Sequence, residues 1–183
     1  MLVYHFYALD AWYVNALKEL TMAAFEIREI SIAGGTVAMC QLPGRAGDYP
    51  SDFNKIVEWK PDLVISLTEP HEMAEFEVGN FGSDLQAQTL AWTAWPIKDY
   101  GVPDPTQAAR SAGIKNEASA ILKRAGRILV HCKGGCGRTG MVVLNFMVDA
   151  GEDPDAGLTR LRVVRPCAVE TDEQYSWASN LAD

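Results

Sequence analysis

Residues 131–140 read HCKGGCGRTG and follow the apolar run RILV at 127–130. Cys132 and Arg138 close a C-x5-R spacing around Lys133, Gly134, Gly135, Cys136 and Gly137. Residues this small let successive backbone N–H groups turn inward as an anion-binding nest. The loop opens a helix, whose N-terminal dipole and free amides add positive potential. Arg138 supplies a planar fork for two oxygens of one phosphate. Cys132 lies on the floor of this nest, where the positive potential should favour the thiolate. A thiolate beneath a cradled phosphate can attack phosphorus. The loop is therefore expected to hold phosphate, sulfate or vanadate-like anions.

Other readings of the same ten residues fit less well. Gly135, Gly137 and Gly140 spell G-x-G-x-x-G between a strand and a helix, a weak dinucleotide signal by itself. A dinucleotide unit needs a second parallel strand and a ribose-binding acid about 20 residues on, and the chain instead turns into TRLRVVRP. A nucleotide P-loop needs Lys after the second glycine, where Met141 stands. A zinc site from His131, Cys132, Cys136 and a distant cysteine lacks a second paired ligand motif, so no metal is expected.

The elements that must position this loop follow from pattern. EIREISI and TVAMCQL flank Gly34 and Gly35 as a hairpin. DFNKIVEWK reads as a short helix stopped by Pro61, DLVISL as a buried strand, and EPHEMAEF as a short helix with proline near its start. TAWPI reads as a strand running into the loop KDYGVPDP. A long helix carries Ile114, Ala118, Ile121 and Leu122 on one face and ends before Gly126. GMVVLNFMVDA is apolar nearly all round and should be the central helix. Helices around PDAGLTRLRVV and DEQYSWASNLA close the chain. In residues 1–25, YHFYAL has strand character and WYVNALKELTMAAF suits helix or irregular packing. The alternation implies an α/β fold, a central mostly parallel sheet with helices on both faces. No linker divides residues 1–183, so a single domain is expected. In such sheets ligands bind beyond the carboxyl ends of the strands, where the glycine loop lies.

Composition narrows the partners. A net charge of −8 without any basic stripe argues against nucleic acid. The longest apolar stretch, GMVVLNFMV, is too short to cross a bilayer, so no membrane partner is expected. The start of the chain carries no basic leader or small-residue cleavage site. Four cysteines make no disulfide framework, which points to a reducing cytoplasm.

At the loop, the chain resembles the cysteine-dependent protein phosphatases. VHCKGGCGRTG is similar to their H-C-x5-R-[ST] signature through His131, Cys132, Arg138 and Thr139. WPIKDYGVP looks like their acid loop, in which an aspartate after a Trp-Pro or Pro-aliphatic pair protonates the leaving oxygen. RPCAVETDEQ is similar to the segment that follows the loop in the compact, dual-specificity branch. The resemblance covers most of residues 61–180 and implies a protein-tyrosine-phosphatase-like fold. It further implies a hydrolase of phosphorylated proteins or peptides, with small phosphate esters as a second substrate class. The reaction would need no cofactor and would pass through phosphocysteine.

By this resemblance Asp99 takes the acid position, while Asp104 before Pro105 suits a helix N-cap. His131 orients the loop, and Lys133 is a solvated charge with at most a supporting electrostatic part. Thr139 reads as a helix N-cap, and the family adds a hydroxyl that stabilises the departing thiolate. Gln174 has two readings: a capping box with Thr171, or the family's water-positioning glutamine. Tyr100 stands where a small residue is frequent, which should reshape loop closure. Two other classes remain open: a phospho-binding module without turnover, and a thiol redox enzyme of arsenate-reductase type, suggested by Cys136. The open thiolate also invites oxidation to a sulfenic acid, with Cys136, or else Cys40 or Cys167, as the partner thiol.

Overall fold

A computed structural model describes residues 24–180; YHFYAL and most of WYVNALKELTMAAF lie outside the described residues. Five strands form one sheet in the order β1-β2-β5-β3-β4. They are β1 (Arg28–Ile32), β2 (Gly35–Gln41), β3 (Leu63–Ser66), β4 (Trp92–Ala94) and β5 (Arg127–Cys132). Only β1 pairs antiparallel, with β2; every other pair is parallel. The hairpin turn falls one residue early, on Ala33 and Gly34, both in the left-handed region. Gly35 already belongs to β2, pressed so closely against the Gly126 carbonyl that a Cβ would lie 2.7 Å from it.

The central strands are buried on both sides, as parallel strands between helices must be. On β2, Val37 and Met39 join one core cluster while Ala38 and Cys40 join the other. Residues alternate in the same way on β3 and β5. The first cluster packs against α4 (Ala108–Lys123), α5 (Gly137–Asp149), α6 (Pro154–Val164) and α7 (Asp172–Ala178). The second packs against α1 (Tyr49–Trp59), α2 (Pro70–Glu75) and α3 (Phe81–Ala87). Every residue of α5 from Gly137 to Met147 is buried, which makes it the central helix.

Local chemistry sets several boundaries. The helix expected over DFNKIVEWK begins earlier, at Tyr49, because the Asp48 carboxylate accepts from the Ser51 N–H and Pro50 suits a first turn. Asp153 starts α6 in the same manner. β4 is shorter and earlier than TAWPI, since Pro96 has no N–H to donate; Trp95 and Ile97 N–H still reach the Ser66 and Leu67 carbonyls. The sequence does not signal α3. It is short, has no side-chain cap bond and contains Gly82, whose lack of a Cβ admits the Trp92 ring. β2, β3, β4 and β5 run in one direction, so the loops leaving their carboxyl ends gather at a single edge of the sheet.

Candidate active site

Cys132 is the last residue of β5, and α5 begins at Gly137. The intervening turn wraps back over the thiol, and the Gly135 N–H donates to Cys132 Sγ at 3.2 Å, a donor suited to an anionic sulfur. Gly135 has φ +68, and a Cβ there would lie 2.4 Å from the Cys40 carbonyl oxygen, so only glycine fits. The helix starts without a side-chain cap bond at Cys136. Thr139 is therefore not the N-cap expected from the sequence. It lies inside the first turn, and its buried Oγ1 has no hydrogen-bond partner among the described residues.

Arg138 is buried and fixed from beneath. Its Nη1 donates to Glu72 Oε2 at 2.6 Å and to the Ile97 carbonyl at 2.9 Å, while Nη2 donates to Glu72 Oε1 at 2.8 Å. Burial works against the charge on Arg138, but the bonds to Glu72 outweigh it and raise the pKa. Burial alone would push the Glu72 carboxyl up; Arg138 and the Glu69 N–H outweigh it and hold the carboxyl below its usual range. Two features of the guanidinium remain outside this clamp. Nη2 meets Asp99 Oδ1 at 2.9 Å, and Asp99 is half exposed. Buried Nε–H has no acceptor among the described residues.

Arg45, Asp99, Tyr100, Cys132, Gly137 and Glu170 line the cavity, which has a volume of about 390 Å³. Asp99 thus lies at the site, whereas Asp104 caps the 3-10 turn at Pro105–Gln107 by accepting from the Thr106 N–H at 2.8 Å. Tyr100 adopts φ +59 and exposes its ring at the rim. Lys133 is not merely solvated: Nζ pairs with Glu75 at 2.8 Å and lies over the Phe76 ring. His131 is fully buried, with Nε2 2.6 Å from Ser66 Oγ, which also accepts from Trp92 Nε1 at 2.8 Å. Burial pushes its pKa down from 6.5 to about 4, so the ring is neutral.

The segment after α6 braces the loop from outside. Arg165 donates through Nε to the Gly135 carbonyl at 2.9 Å and through Nη2 to the Gly134 carbonyl at 2.8 Å. With those carbonyls held outward, the N–H groups are free to face the cavity. Gln174 is buried; its N–H reaches Thr171 Oγ1, but its Oε1 accepts from Glu170 N–H rather than completing a capping box at Thr171. Nε2 leans on the Gly101 carbonyl at 3.4 Å. Its amide thus ties the brace to the acid loop.

Cys136 forms a disulfide with Cys167, with Cα atoms 5.2 Å apart. This corrects two expectations at once: the chain does contain a disulfide, and Cys136 is not a free thiol beside Cys132. Disulfides are rare in reducing compartments, so cysteine usage no longer argues for the cytoplasm. Cys40 is free, and its thiol packs in the core cluster opposite that of Cys132. No group of three or more potential metal ligands occurs among the described residues.

Sequence reasoning missed Glu72, Ser66, Arg45, Arg165 and Glu170. Glu72 carried only a helix-start signal, and Arg165 and Glu170 stood inside a stretch recognised for other letters. None of the five reveals its partner without the fold.

A thiol that accepts from the Gly135 N–H, with a clamped arginine and a carboxylate at the mouth, is the arrangement that the resemblance to the cysteine-dependent phosphatases leads one to expect. A protein-tyrosine phosphatase family model matches residues 54–182, and the chain belongs to that family. The chain is 39% identical over 128 residues to the tyrosine-protein phosphatase Lar-like of Caenorhabditis elegans, and 29% identical over 126 residues to the tyrosine-protein phosphatase Lar of Drosophila melanogaster. Each match covers 62% of this chain but only 6% of the relative's length. Among solved structures, kinase associated phosphatase (KAP), with its catalytic-site cysteine replaced by serine, aligns with a TM-score of 0.76 at 22% identity, covering 87% of this chain and 95% of that one. PTPMT1 in complex with PI(5)P aligns with a TM-score of 0.67 at 15% identity, covering 83% and 92%. These likenesses match the sheet and helix layers described above. No helix among the described residues is long and apolar enough to cross a membrane.

Two outcomes follow from this geometry. Below pH 6.5 the unfolded chain protonates His131, whereas the folded chain resists protonation down to about pH 4. Folding stability should therefore fall as pH drops through that window. Glu72 adds a loss of the same sign as pH falls toward its lowered folded value. Denaturant midpoints measured across the window should decline for the wild type and decline less for His131→Asn; a flat wild-type profile would contradict the buried neutral ring. Separately, the Cys136–Cys167 bond closes a 31-residue separation, and cross-links of that span contribute about 2–4 kcal/mol. Cys136→Ser/Cys167→Ser should lose that much by chemical denaturation, and an unchanged midpoint would deny the bond any structural weight.

Proposed function

We propose that the chain is a single-domain, metal-independent phosphomonoesterase acting on phosphorylated proteins or peptides through a phosphocysteine. One observation carries this reading: the buried Nε–H of Arg138 has no acceptor among the described residues, while Nη2 of the same guanidinium pairs with Asp99, which lines the cavity together with Cys132. An unpaired buried donor costs about 1–3 kcal/mol, and a phosphate oxygen would satisfy it. Nε and Nη2 together form the fork that takes two oxygens of one phosphate.

Nη2 is bonded to Asp99 in the resting site. Docking of a dianionic phosphate replaces that contact and leaves Asp99 beside an anion, where a protonated carboxyl is favoured. Cys132 thiolate then attacks phosphorus, the P–O ester bond breaks, and Asp99 gives its proton to the leaving oxygen. Thr139 Oγ1, buried and unpartnered, is available to stabilise the thiolate when it departs. In the second step Asp99 carboxylate takes a proton from water, the water oxygen attacks phosphorus, and the P–S bond breaks. Covalent catalysis divides one difficult displacement into two. His131 orients the loop through Ser66, and Gln174 acts by holding Glu170 and Gly101 rather than by touching water. Loop amides of Lys133 to Gly137 bind phosphate, sulfate or vanadate alike.

The exposed Tyr100 ring at the rim suits an aryl phosphate, and the tyrosine phosphatases among the relatives favour phosphotyrosine. PTPMT1 with a phosphoinositide among the structural neighbours keeps lipid phosphates in the substrate panel. A thiol redox enzyme is disfavoured because Cys136, the thiol that suggested it, is bonded to Cys167. A pure phosphate-binding module would need neither the thiol nor Asp99.

Cys132→Ser should abolish turnover of an aryl phosphate with EDTA present yet retain vanadate binding by calorimetry; near wild-type turnover would rule out the covalent route. Arg138→Lys should lose both, since a point charge replaces neither arm of the fork. Asp99→Asn should lower kcat by about 10²–10⁴, the range for general acid–base catalysis, and remove the alkaline limb of the pH–rate profile. The loss should shrink on esters with good leaving groups. If Asp104→Asn behaved this way instead, the acid would be misassigned.

A further inference from the structure

We propose that the Cys136–Cys167 bond is a thiol-exchange site for a dithiol reductant, and that its state sets how firmly the loop holds an oxyanion. This takes the loop as the phosphate cradle of the reading above. The bond joins two unlike environments. Cys136 is half-buried and lines the cavity with Cys132, Gly134 and Gly137. Cys167 is exposed, beside exposed Pro166, on the segment that leaves α6. A reductant therefore meets the Cys167 sulfur from solvent without entering the cavity. Structural disulfides resist reduction, whereas exposed ones form the labile class.

The surroundings also give the exchange a direction. Cys136 stands immediately before α5, a helix of 13 residues, whose N-terminal potential favours a thiolate there. A stabilised thiolate leaves faster, so attack at Cys167 expels Cys136. The first thiolate of the reductant attacks Cys167 Sγ, the S–S bond breaks, and Cys136 departs with both bonding electrons and takes a proton. The second thiol of the reductant loses its proton and attacks its own partner sulfur in the mixed disulfide. Cys167 leaves as a thiolate and is protonated in turn. Two electrons and two protons have passed to the protein, and the reductant ends as a disulfide.

The released sulfur belongs to the cradle. Two ties hold the loop to the segment behind it: Arg165 on the Gly134 and Gly135 carbonyls, and the disulfide at the next residue. The Cys136 carbonyl serves the Gly140 N–H inside α5. Among the described residues, Cys136 has no other link to the brace. Once the bond opens, the backbone between Gly135 and Gly137 is ordered by the anion itself, and binding bears that ordering cost. The sense is opposite to that of Cys132, which oxidation disables. Turnover should therefore pass through a maximum at an intermediate redox poise.

The test uses the Cys132→Ser chain, in which the catalytic sulfur is absent, and tungstate as a phosphate-like oxyanion. The chain is treated with dithiothreitol, freed of it under nitrogen, and titrated by calorimetry. Labelling with iodoacetamide and mass spectrometry confirms which cysteines are reduced. Tungstate should bind the reduced chain about tenfold more weakly, the scale of ordering one backbone residue on binding. Reoxidation with oxidised glutathione should restore the affinity. Cys132→Ser/Cys136→Ser/Cys167→Ser should bind like the reduced chain and ignore dithiothreitol; if it does not fold, the reduction and reoxidation cycle carries the test alone. Unchanged affinity after confirmed reduction overturns the proposal, as does a folded chain in which Cys136 and Cys167 resist labelling after dithiothreitol. Loss of the folded far-UV spectrum on reduction makes the bond a structural staple and overturns it too, and so does an oxidised chain that binds no tungstate. Turnover of an aryl phosphate by the wild type is assayed separately, so failure of the hydrolase reading is told apart from failure of the exchange site.

Discussion

The buried pair between Arg138 and Glu72 is the constraint on which the site depends. An isolated guanidinium in the interior would be driven out or would drag water in. Glu72 prevents this by meeting it with both oxygens, and the Ile97 carbonyl takes a further proton. Removing one member of a buried pair commonly costs about 3–5 kcal/mol, because the other charge is left alone. The pair therefore fixes α2 and the start of the acid loop against α5. It also leaves Nε without an acceptor among the described residues, and Nη2 paired with Asp99 at the cavity wall. Stability and ligand geometry come from the same group.

A second constraint acts on the backbone of the loop. Inward amides mean outward carbonyls, and outward carbonyls at a protein edge need donors. Arg165 supplies two, to Gly134 and Gly135, while Leu42 N–H and Arg45 answer the Lys133 carbonyl. The Cys136–Cys167 bond adds a covalent tie between the loop and the same brace. The nest is thus shaped by partners outside it and does not rely on an anion for its form. Glycine at 135 is required because the Cys40 carbonyl passes directly beneath.

Much of the fold was legible because it rests on short-range chemistry. Alternating or continuous apolar runs marked β1, β2, β3 and β5, prolines and aspartates marked helix starts, and C-x5-R marked the loop. What was not legible depended on pairs far apart in sequence. Glu72 and Arg138 are 66 residues apart, and nothing in PHEMAE distinguishes a clamp from a capping carboxylate. Cys136 and Cys167 likewise announced no pairing, so the nearer thiol looked like the natural partner of Cys132. Thr139 misled for a local reason: the loop's last turn already counts as helix, which moves the N-cap back to Cys136. α3 was silent because its glycine serves the Trp92 ring rather than a turn.

The resting site gives a reason for the proposed acid, Asp99, to lie on a loop and not on a rigid element. Asp99 is half exposed and bonds to the arginine edge that the phosphate would occupy. A carboxylate held there keeps Nη2 paired while no anion is bound, and it lies within reach of the leaving oxygen once displaced. Such exchange requires the loop to yield slightly, and its tethers fit that need. Tyr100, next in the chain, takes the left-handed region at a cost, and Gly101 is held by its N–H on the Lys98 carbonyl, a bond within the loop, and by the long contact from Gln174. Behind them the Ile97 carbonyl is fixed on Arg138 and Asp104 is fixed on Thr106. The stretch that the proposed exchange would displace is therefore residues 98–103, between two anchored ends. In the proposed mechanism, arrival of phosphate at Arg138 is itself the event that releases the acid.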